Sequence, residues 1–312
     1  MTSKNSDMIT KVIVFGGSGM VGTNMQISKK NQCFKIKYPK TSEVNLLNKI
    51  SVKKYLEIQT PDIIINLAGK VGGIVANKND NFGFLEENIY INLNLITVSK
   101  EIGIKNFLNV SSSCVYPKDI QGLIKESDLL SSKLEPTNEG YSLAKILSLK
   151  LCEFISNKSL NYKTIIPCNL YGPNDKFGEN SHMIPGVINR MHQAKIKGLK
   201  SLEMWGDGTV KREFMYVQDL IEFIFYSLNN FNLLPNTMNV GWGQDYKISH
   251  YYNEIKKVIK YKGEIIINLD HPVGMNRKCV DVTEQKKIGW SPEIKLNKGI
   301  KKTYKYFLEN EI

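Results

Sequence analysis

A short apolar run, Lys11 to Phe15, delivers the chain directly into Gly16-Gly17-Ser18-Gly19-Met20-Val21-Gly22, after which a helical pattern begins. This unit of strand, glycine turn and helix constrains the fold more than any other stretch, because a buried strand that feeds a helix implies a parallel neighbour reached by a crossover. The same alternation then repeats. Strands are expected at Phe34–Tyr38, Ile63–Leu67, Phe107–Val110 and Thr164–Pro167, with helices around Ser51–Gln59, Asn88–Ile102 and Tyr141–Ile155. Alternation at this spacing predicts a doubly wound parallel α/β sheet covered by helices on both faces.

The chain has 312 residues, more than one core usually serves, so a second, smaller α/β lobe for substrate is expected. Asn169 to Asn180 is rich in Gly, Pro, Asn and Asp and reads as the loop that opens it. The expected division is 8–168 with 212–242 for the cofactor lobe, and 169–211 with 243–312 for the substrate lobe. Phe214–Leu228 and Thr237–Val240 return to the first. No apolar stretch is long enough to span a bilayer, and five cysteines without a C-x-x-C pair suit reduced thiols and give no metal-ligand spacing. A cytoplasmic, metal-free protein is expected.

The formal charge of +12 would suit nucleic acid, but the lysines are scattered along helices and form no stripe interleaved with aromatics, so no nucleic-acid partner is expected. Arginine says more. Of 42 basic residues only Arg190, Arg212 and Arg277 are arginine, which suggests positions where a planar bidentate donor to phosphate is needed. A structural ion pair remains the alternative for each.

The glycine turn opens a helix whose backbone amides can hold a pyrophosphate. Its spacing fits Gly16/Gly19/Gly22 and Gly17/Gly19/Gly22 equally. After the second strand stand Lys37, Tyr38, Pro39 and Lys40, where an acid for NAD would be usual, so NADPH is favoured; Asn45 and Leu46 would border the adenine, and Glu43 keeps NAD open. Tyr141 and Lys145, four apart on a helix, project from one face. A ketone reductase needs such a phenol to protonate the carbonyl oxygen and a cation beside it, and Ser112 at a strand end completes the set.

Gly16 to Gly22, Ser112, Tyr141 and Lys145 together resemble the extended short-chain dehydrogenase/reductase family, whose cofactor lobe is a Rossmann fold. Lys70–Asn77, Ser112–Lys118, Glu135–Glu139, Asn169–Pro173 and Trp205–Thr209 are similar to its GDP-L-fucose synthase branch, and the likeness runs from about Lys11 to Asn310. The resemblance implies a homodimer that epimerises a GDP-linked 4-keto-6-deoxy sugar at C3 and C5 and reduces C4 with NADPH. It makes Ser112, Tyr141 and Lys145 the reductase triad and Cys114 and His182 the epimerisation pair. It also sets Gly16, Gly19, Met20, Val21, Gly22, Ala68, Tyr141, Lys145 and His182 against the cofactor, and Arg190, Trp205, Arg212 and Lys278 against the nucleotide sugar.

Ser112 and Cys114, two apart near a strand end, face one side if the strand geometry persists. The C3 and C5 protons are acidic because both carbons flank the ketone, so a thiolate and an imidazole on opposite faces suit the chemistry. The dimer is expected through the helices at Asn88–Ile102 and Tyr141–Ile155. There are departures from the family pattern: Gly140 stands where proline is usual, Ser111 where glycine is, and Asn174–Asn180 and Pro272–Asn276 differ. These leave two other readings: a C4-reductase of GDP-4-keto-6-deoxy-heptose from a bacterial capsule pathway, without epimerisation, and a UDP-sugar 4-epimerase that recycles bound NAD. A silent nucleotide- or RNA-binding relative is opposed by the intact triad.

Overall fold

The computed structural model describes residues 10–178, 181–270 and 275–312. In chain order the strands are β1 Lys11–Phe15, β2 Lys35–Lys37, β3 Ile63–Asn66, β4 Asn106–Val110, β5 Asn161–Pro167, β6 Asn169–Tyr171, β7 Ser201–Trp205, β8 Lys211–Arg212, β9 Phe214–Tyr216, β10 Thr237–Val240, β11 Tyr246–Lys247, β12 Glu264–Asn268 and β13 Arg277–Lys278. The helices are α1 Met20–Gln26, α2 Lys49–Gln59, α3 Ile74–Asn79, α4 Asn81–Glu101, α5 Glu139–Ile155, α6 Met183–Ile196, α7 Val217–Asn229, α8 Ile248–Ile259, α9 Thr283–Lys287 and α10 Leu296–Asn310.

Six strands form one all-parallel sheet in the order β10-β5-β4-β3-β1-β2. Strand alternation divides their side chains between two cores. Val12, Val14, Ile63, Ile65, Leu108 and Val110 join the core of α1 and α7, whereas Ile13, Phe15, Ile64 and Phe107 join that of α2 and α4. Both faces are therefore dry, which is why these strands read as continuous apolar runs. The chain moves outward from β1 to β2 and then crosses back to β3, so the crevice between the ends of β1 and β3 is the topological switch point.

A third core, around Ile184, Ile188, Met191, Tyr251, Tyr252, Ile255 and Phe307, belongs to α6, α8 and α10. Around it lie a parallel pair β7–β12, a three-stranded sheet β11-β8-β13 and the pair β6–β9. Residues 169–171, read from sequence as loop, are thus a strand, held by parallel pairing with 214–216. Phe214–Tyr216 accordingly pairs outside the large sheet, while α7 and β10 join it.

Inside the sheet lobe, polar side chains on β3, β4, β5, α4 and α5 satisfy one another. Asn66 Nδ2 donates to Asn92 Oδ1 at 2.8 Å, and Asn109 Nδ2 donates to Ser148 Oγ at 3.1 Å and Thr164 Oγ1 at 3.3 Å. Asn88 ties α4 to the loop after β3: its Oδ1 accepts from Lys70 N and its Nδ2 donates to Lys70 O, both at 3.0 Å. Buried amides so matched fix the register of helix and strand, since any slip leaves them unpaired.

Candidate active site

The glycine turn follows β1 at the switch point. Gly16 has φ +85°, and a Cβ there would lie 2.6 Å from the Leu67 backbone. At Gly22 a Cβ would lie 2.4 Å from Gly16 O, so this glycine lets α1 press on the turn. Gly19, the N-cap of α1, has only Gly16 O within reach of a Cβ, at 3.5 Å, and no side chain caps the helix. Tight turn, open approach and close helix packing thus fall on Gly16, Gly19 and Gly22, the register that sequence left undecided. Gly17 packs instead against Tyr38, whose hydroxyl donates to Asn31 Oδ1 at 2.9 Å.

Met20 and Val21 open α1, and buried Ala68 donates its N–H to Asn66 Oδ1 at 3.1 Å beside the turn. Beyond β2, Glu43 Oε2 accepts from Lys40 N at 2.8 Å while the Lys40 side chain is exposed. The acid that kept NAD open is therefore engaged in closing its own turn. Asn45 donates its N–H to Ser51 Oγ at 3.0 Å, and Leu46 O accepts from Asn94 Nδ2 at 2.8 Å, which anchors this loop to α2 and α4.

Lys145 is buried on α5, and its Nζ donates to Val110 O, the last residue of β4, at 3.1 Å. It stands 5.9 Å from the centre of the Tyr141 ring and 3.7 Å from where a Gly69 Cβ would be. Burial lowers its pKa to about 8. Tyr141 is pushed up, by burial first and then by the charge of Cys114, while its hydrogen bond to Ser112 works the other way. Ser112 stands two residues beyond the end of β4, caps the helical turn at residues 113–115 and accepts from Cys114 N at 3.4 Å, so the strand geometry does not persist to Cys114.

Burial alone would raise the Cys114 thiol, but the Lys278 ammonium, the Ser112 hydroxyl and His182 outweigh it, and the net direction is below the ordinary thiol range. Lys278 Nζ is 3.6 Å from Cys114 Sγ. His182 is the N-cap of α6; its side chain is half-exposed, its Nδ1 lies 3.6 Å from Asp175 Oδ1, and the pairing with that carboxylate raises its pKa against partial desolvation. Asp175 is 8% exposed, takes the Lys176 N–H at 2.8 Å on the same oxygen, and among the described residues leaves Oδ2 without a hydrogen-bond partner. Nothing in the sequence marked Asp175: it bears on His182 only through the fold of the loop between them.

The basic residues divide. Arg190 on α6 has its guanidinium 4.5 Å over the Trp205 ring, with Nη2 donating to Tyr252 OH at 2.7 Å and Nη1 to Glu203 O at 3.1 Å. Trp205 is half-exposed, so this pair forms a wall and not a core contact. Arg212 on β8 is the register partner of Lys278 on β13, which sets two cations side by side. Burial lowers the pKa of Arg212, with Glu135 acting in the opposite sense. Arg277 is not with them. Its Nε and Nη2 hold Asp245 Oδ2 at 2.5 Å and Oδ1 at 3.2 Å, the structural ion pair that sequence had left as the alternative.

Glu213 was also missed. Its carboxylate accepts from Gly243 N at 2.7 Å and Val280 N at 2.8 Å, and burial pushes it up to about 7. It holds the chain beside Lys278 in place. Of the departing stretches, residues 272–274 and 179–180 lie outside the described residues. Gly140 has a physical reason: its N–H donates to Asn81 Oδ1 at 2.8 Å, and a Cβ there would lie 2.2 Å from Asn81 O. Proline has no N–H to give. Among the described residues no cluster of His, Cys, Asp or Glu is placed to hold a metal, and no helix is long and apolar enough to cross a membrane.

Comparison with known proteins identifies the family. Residues 12–241 match the model of the NAD dependent epimerase/dehydratase family. The chain is 47% identical over 304 residues to the GDP-L-colitose synthase of Yersinia pseudotuberculosis, covering 96% of this chain and 99% of that protein. It is 41% identical to the GDP-L-fucose synthase of Azorhizobium caulinodans, covering 97% and 98%. The structure of MlghC, a GDP-mannoheptose C4 reductase from Campylobacter jejuni with NADP bound, superposes with a TM-score of 0.87 at 26% identity over 96% of this chain and 98% of that one. With a glycine turn at the switch point, and Tyr141 and Lys145 on one helix face beside Ser112, the chain belongs to the NAD dependent epimerase/dehydratase family, that is, to the extended short-chain dehydrogenases/reductases.

Proposed function

We propose that this chain reduces the C4 ketone of a GDP-linked 4-keto-6-deoxy sugar with NADPH, after epimerising the sugar at C3 and C5. The observation that carries this reading is the meeting of Ser112, Tyr141 and Lys145 with Cys114 and His182 at the end of β4. The named activities of the two relatives at 47% and 41% identity support the GDP sugar. Gly19 with its uncapped helix suits a pyrophosphate, and exposed Lys40 suits a 2′-phosphate. When bound, NADPH supplies the hydride to C4.

The chain's own residues do the rest. Tyr141, kept protonated by burial and by the neighbouring thiolate, gives its proton to the C4 oxygen, and Ser112 holds that oxygen. Lys145 lies beneath Tyr141 near Gly69, where a cation steadies a phenolate as it forms. For epimerisation, Cys114 takes the proton next to the ketone and His182 returns one to the other face. Arg212 and Lys278 suit the nucleotide's phosphates, and the Trp205–Arg190 wall borders the nucleotide. The lobe of the large sheet, with α7 and β10, takes the cofactor, and the lobe around α6, α8 and α10, to which β8 and β9 belong, takes the sugar nucleotide. Phe82, Tyr90 and Leu93 on α4 and Leu143 and Phe154 on α5 are exposed apolar side chains on adjoining helices, which supports a second copy packing there. A monomer in sedimentation at micromolar concentration would remove that interface.

NADPH consumption, followed by absorbance with GDP-, UDP- and dTDP-linked 4-keto sugars, tests the reading. The GDP panel includes the 4-keto sugars that would lead to L-fucose and to L-colitose, and a heptose. Turnover confined to GDP-linked ketones is expected. No turnover, or turnover of the UDP sugar alone, overturns the proposal.

A further inference from the structure

Cys114 and Lys278 are 164 residues apart in the chain, and their side chains meet. Cys114 sits in the helical turn after β4 and is half-buried. Lys278 ends β13, where strand alternation sends its neighbour Arg277 away to Asp245 and Lys278 itself toward the thiol. Lys278 is 9% exposed, and no carboxylate among the described residues pairs with it. A buried ammonium is costly unless an anion compensates it. The chain's own group at that distance is the Cys114 sulfur.

We propose that Lys278 holds Cys114 as the thiolate that removes the sugar's acidic proton, a role separate from any grip on the nucleotide's phosphates. Proton removal rests on the function proposed above; the ion pair does not. In the step, the C–H bond beside the ketone breaks, an S–H bond forms, and the electron pair moves into the C4 oxygen as an enolate. The His182 imidazolium gives its proton to the opposite face and the enolate returns to ketone. A thiol and a neutral imidazole remain. Passage of one proton from the thiol to the imidazole through solvent restores both, with no net change in protons or electrons. Lys278 favours this reset because it favours the anion. The same anion raises Tyr141, keeping the phenol protonated for the reduction that follows.

The labelling itself needs neither sugar nor cofactor. Cys33 is exposed and is replaced by Ser, while Cys152, Cys168 and Cys279 are buried. The rate at which iodoacetamide modifies Cys114 is then followed against pH by site-resolved mass spectrometry. With Lys278 present, the midpoint is expected below the roughly 8.5 of a free thiol. In Lys278→Met it should rise by about one unit or more, slowing modification at neutral pH about tenfold, while Lys278→Arg keeps the low midpoint. NADPH titration checks that each variant is folded, and Lys278→Gln serves if the Met variant is not. An unchanged profile in either neutral variant overturns the proposal. If the profile shifts as expected while no GDP sugar consumes NADPH, the ion pair stands and the proposed function falls.

Discussion

Asn81, the first residue of α4, accepts the backbone N–H of Gly140 at 2.8 Å, one residue before Tyr141 on α5. Its Nδ2 also donates to Pro136 O at 3.0 Å, so one side chain fixes the start of α5. A Cβ on Gly140 would stand 2.2 Å from Asn81 O, a backbone atom that no rotamer change relieves. Gly140→Ala should therefore destabilise the protein by about 1–3 kcal/mol. Because Tyr141 moves with the helix start, turnover should fall more than NADPH affinity does. Thermal unfolding and an NADPH titration on the same sample check both.

The glycines of the turn should separate into two behaviours. Gly22→Ala puts a methyl 2.4 Å from Gly16 O and should lower thermal stability. Gly19→Ala meets nothing closer than 3.5 Å, so the free protein should keep its stability and lose affinity for NADPH, as the methyl enters the space proposed for the pyrophosphate. Differential scanning fluorimetry with and without NADPH distinguishes them. Equal loss of stability in both would contradict the register.

Burial holds Lys145 at about 8, below its usual 10.5. Between these values the unfolded chain binds more protons than the folded one, so this group's contribution to stability rises with pH across that window and is least favourable below it. Lys145→Met removes the effect together with the bond to Val110 O. Urea titrations of the cofactor-free proteins should show wild type gaining on the variant from about pH 8 to 10.5. Turnover should be lost in the variant at every pH.

Asp175 lies 3.6 Å from the His182 ring and raises its pKa through that pairing. The imidazolium is present below that raised value and lost as pH rises through it. Asp175→Asn should move the loss of proton donation down toward the ordinary histidine value of about 6.5. Solvent deuterium entry into a 4-keto sugar, measured against pH with NADP⁺ in place of NADPH, reads this step without the reduction. A profile unchanged in position would assign Asp175 to structure alone.

Much of the fold was legible because β1, β3, β4 and β5 are buried on both faces and read as apolar runs joined by long helices. The second lobe was not. Lys211–Arg212 and Arg277–Lys278 are strands of two residues, too short for any periodicity, and 169–171 becomes a strand only through its pairing with 214–216. The six-residue helix Ile74–Asn79 also lacked a period to announce it. Within the candidate site, Tyr141 and Lys145 share a helix and could be read locally. The Asp175–His182 and Lys278–Cys114 contacts depend on a loop and on a strand from the other end of the chain. Sequence marked Gly140 as unusual, but its reason lies in Asn81, which only the packing of α4 against α5 brings near.

The most direct test runs the enzyme with NADPH and GDP-4-keto-6-deoxymannose in D₂O and reads the product by NMR. Protium from NADPH is expected at C4 and solvent deuterium at both C3 and C5, with the deuterium lost in Cys114→Ser. A product reduced at C4 with protium at C3 and C5 would leave a plain ketoreductase and contradict the roles given to Cys114 and His182. No reduction of this or any other GDP-linked ketone would contradict the account as a whole.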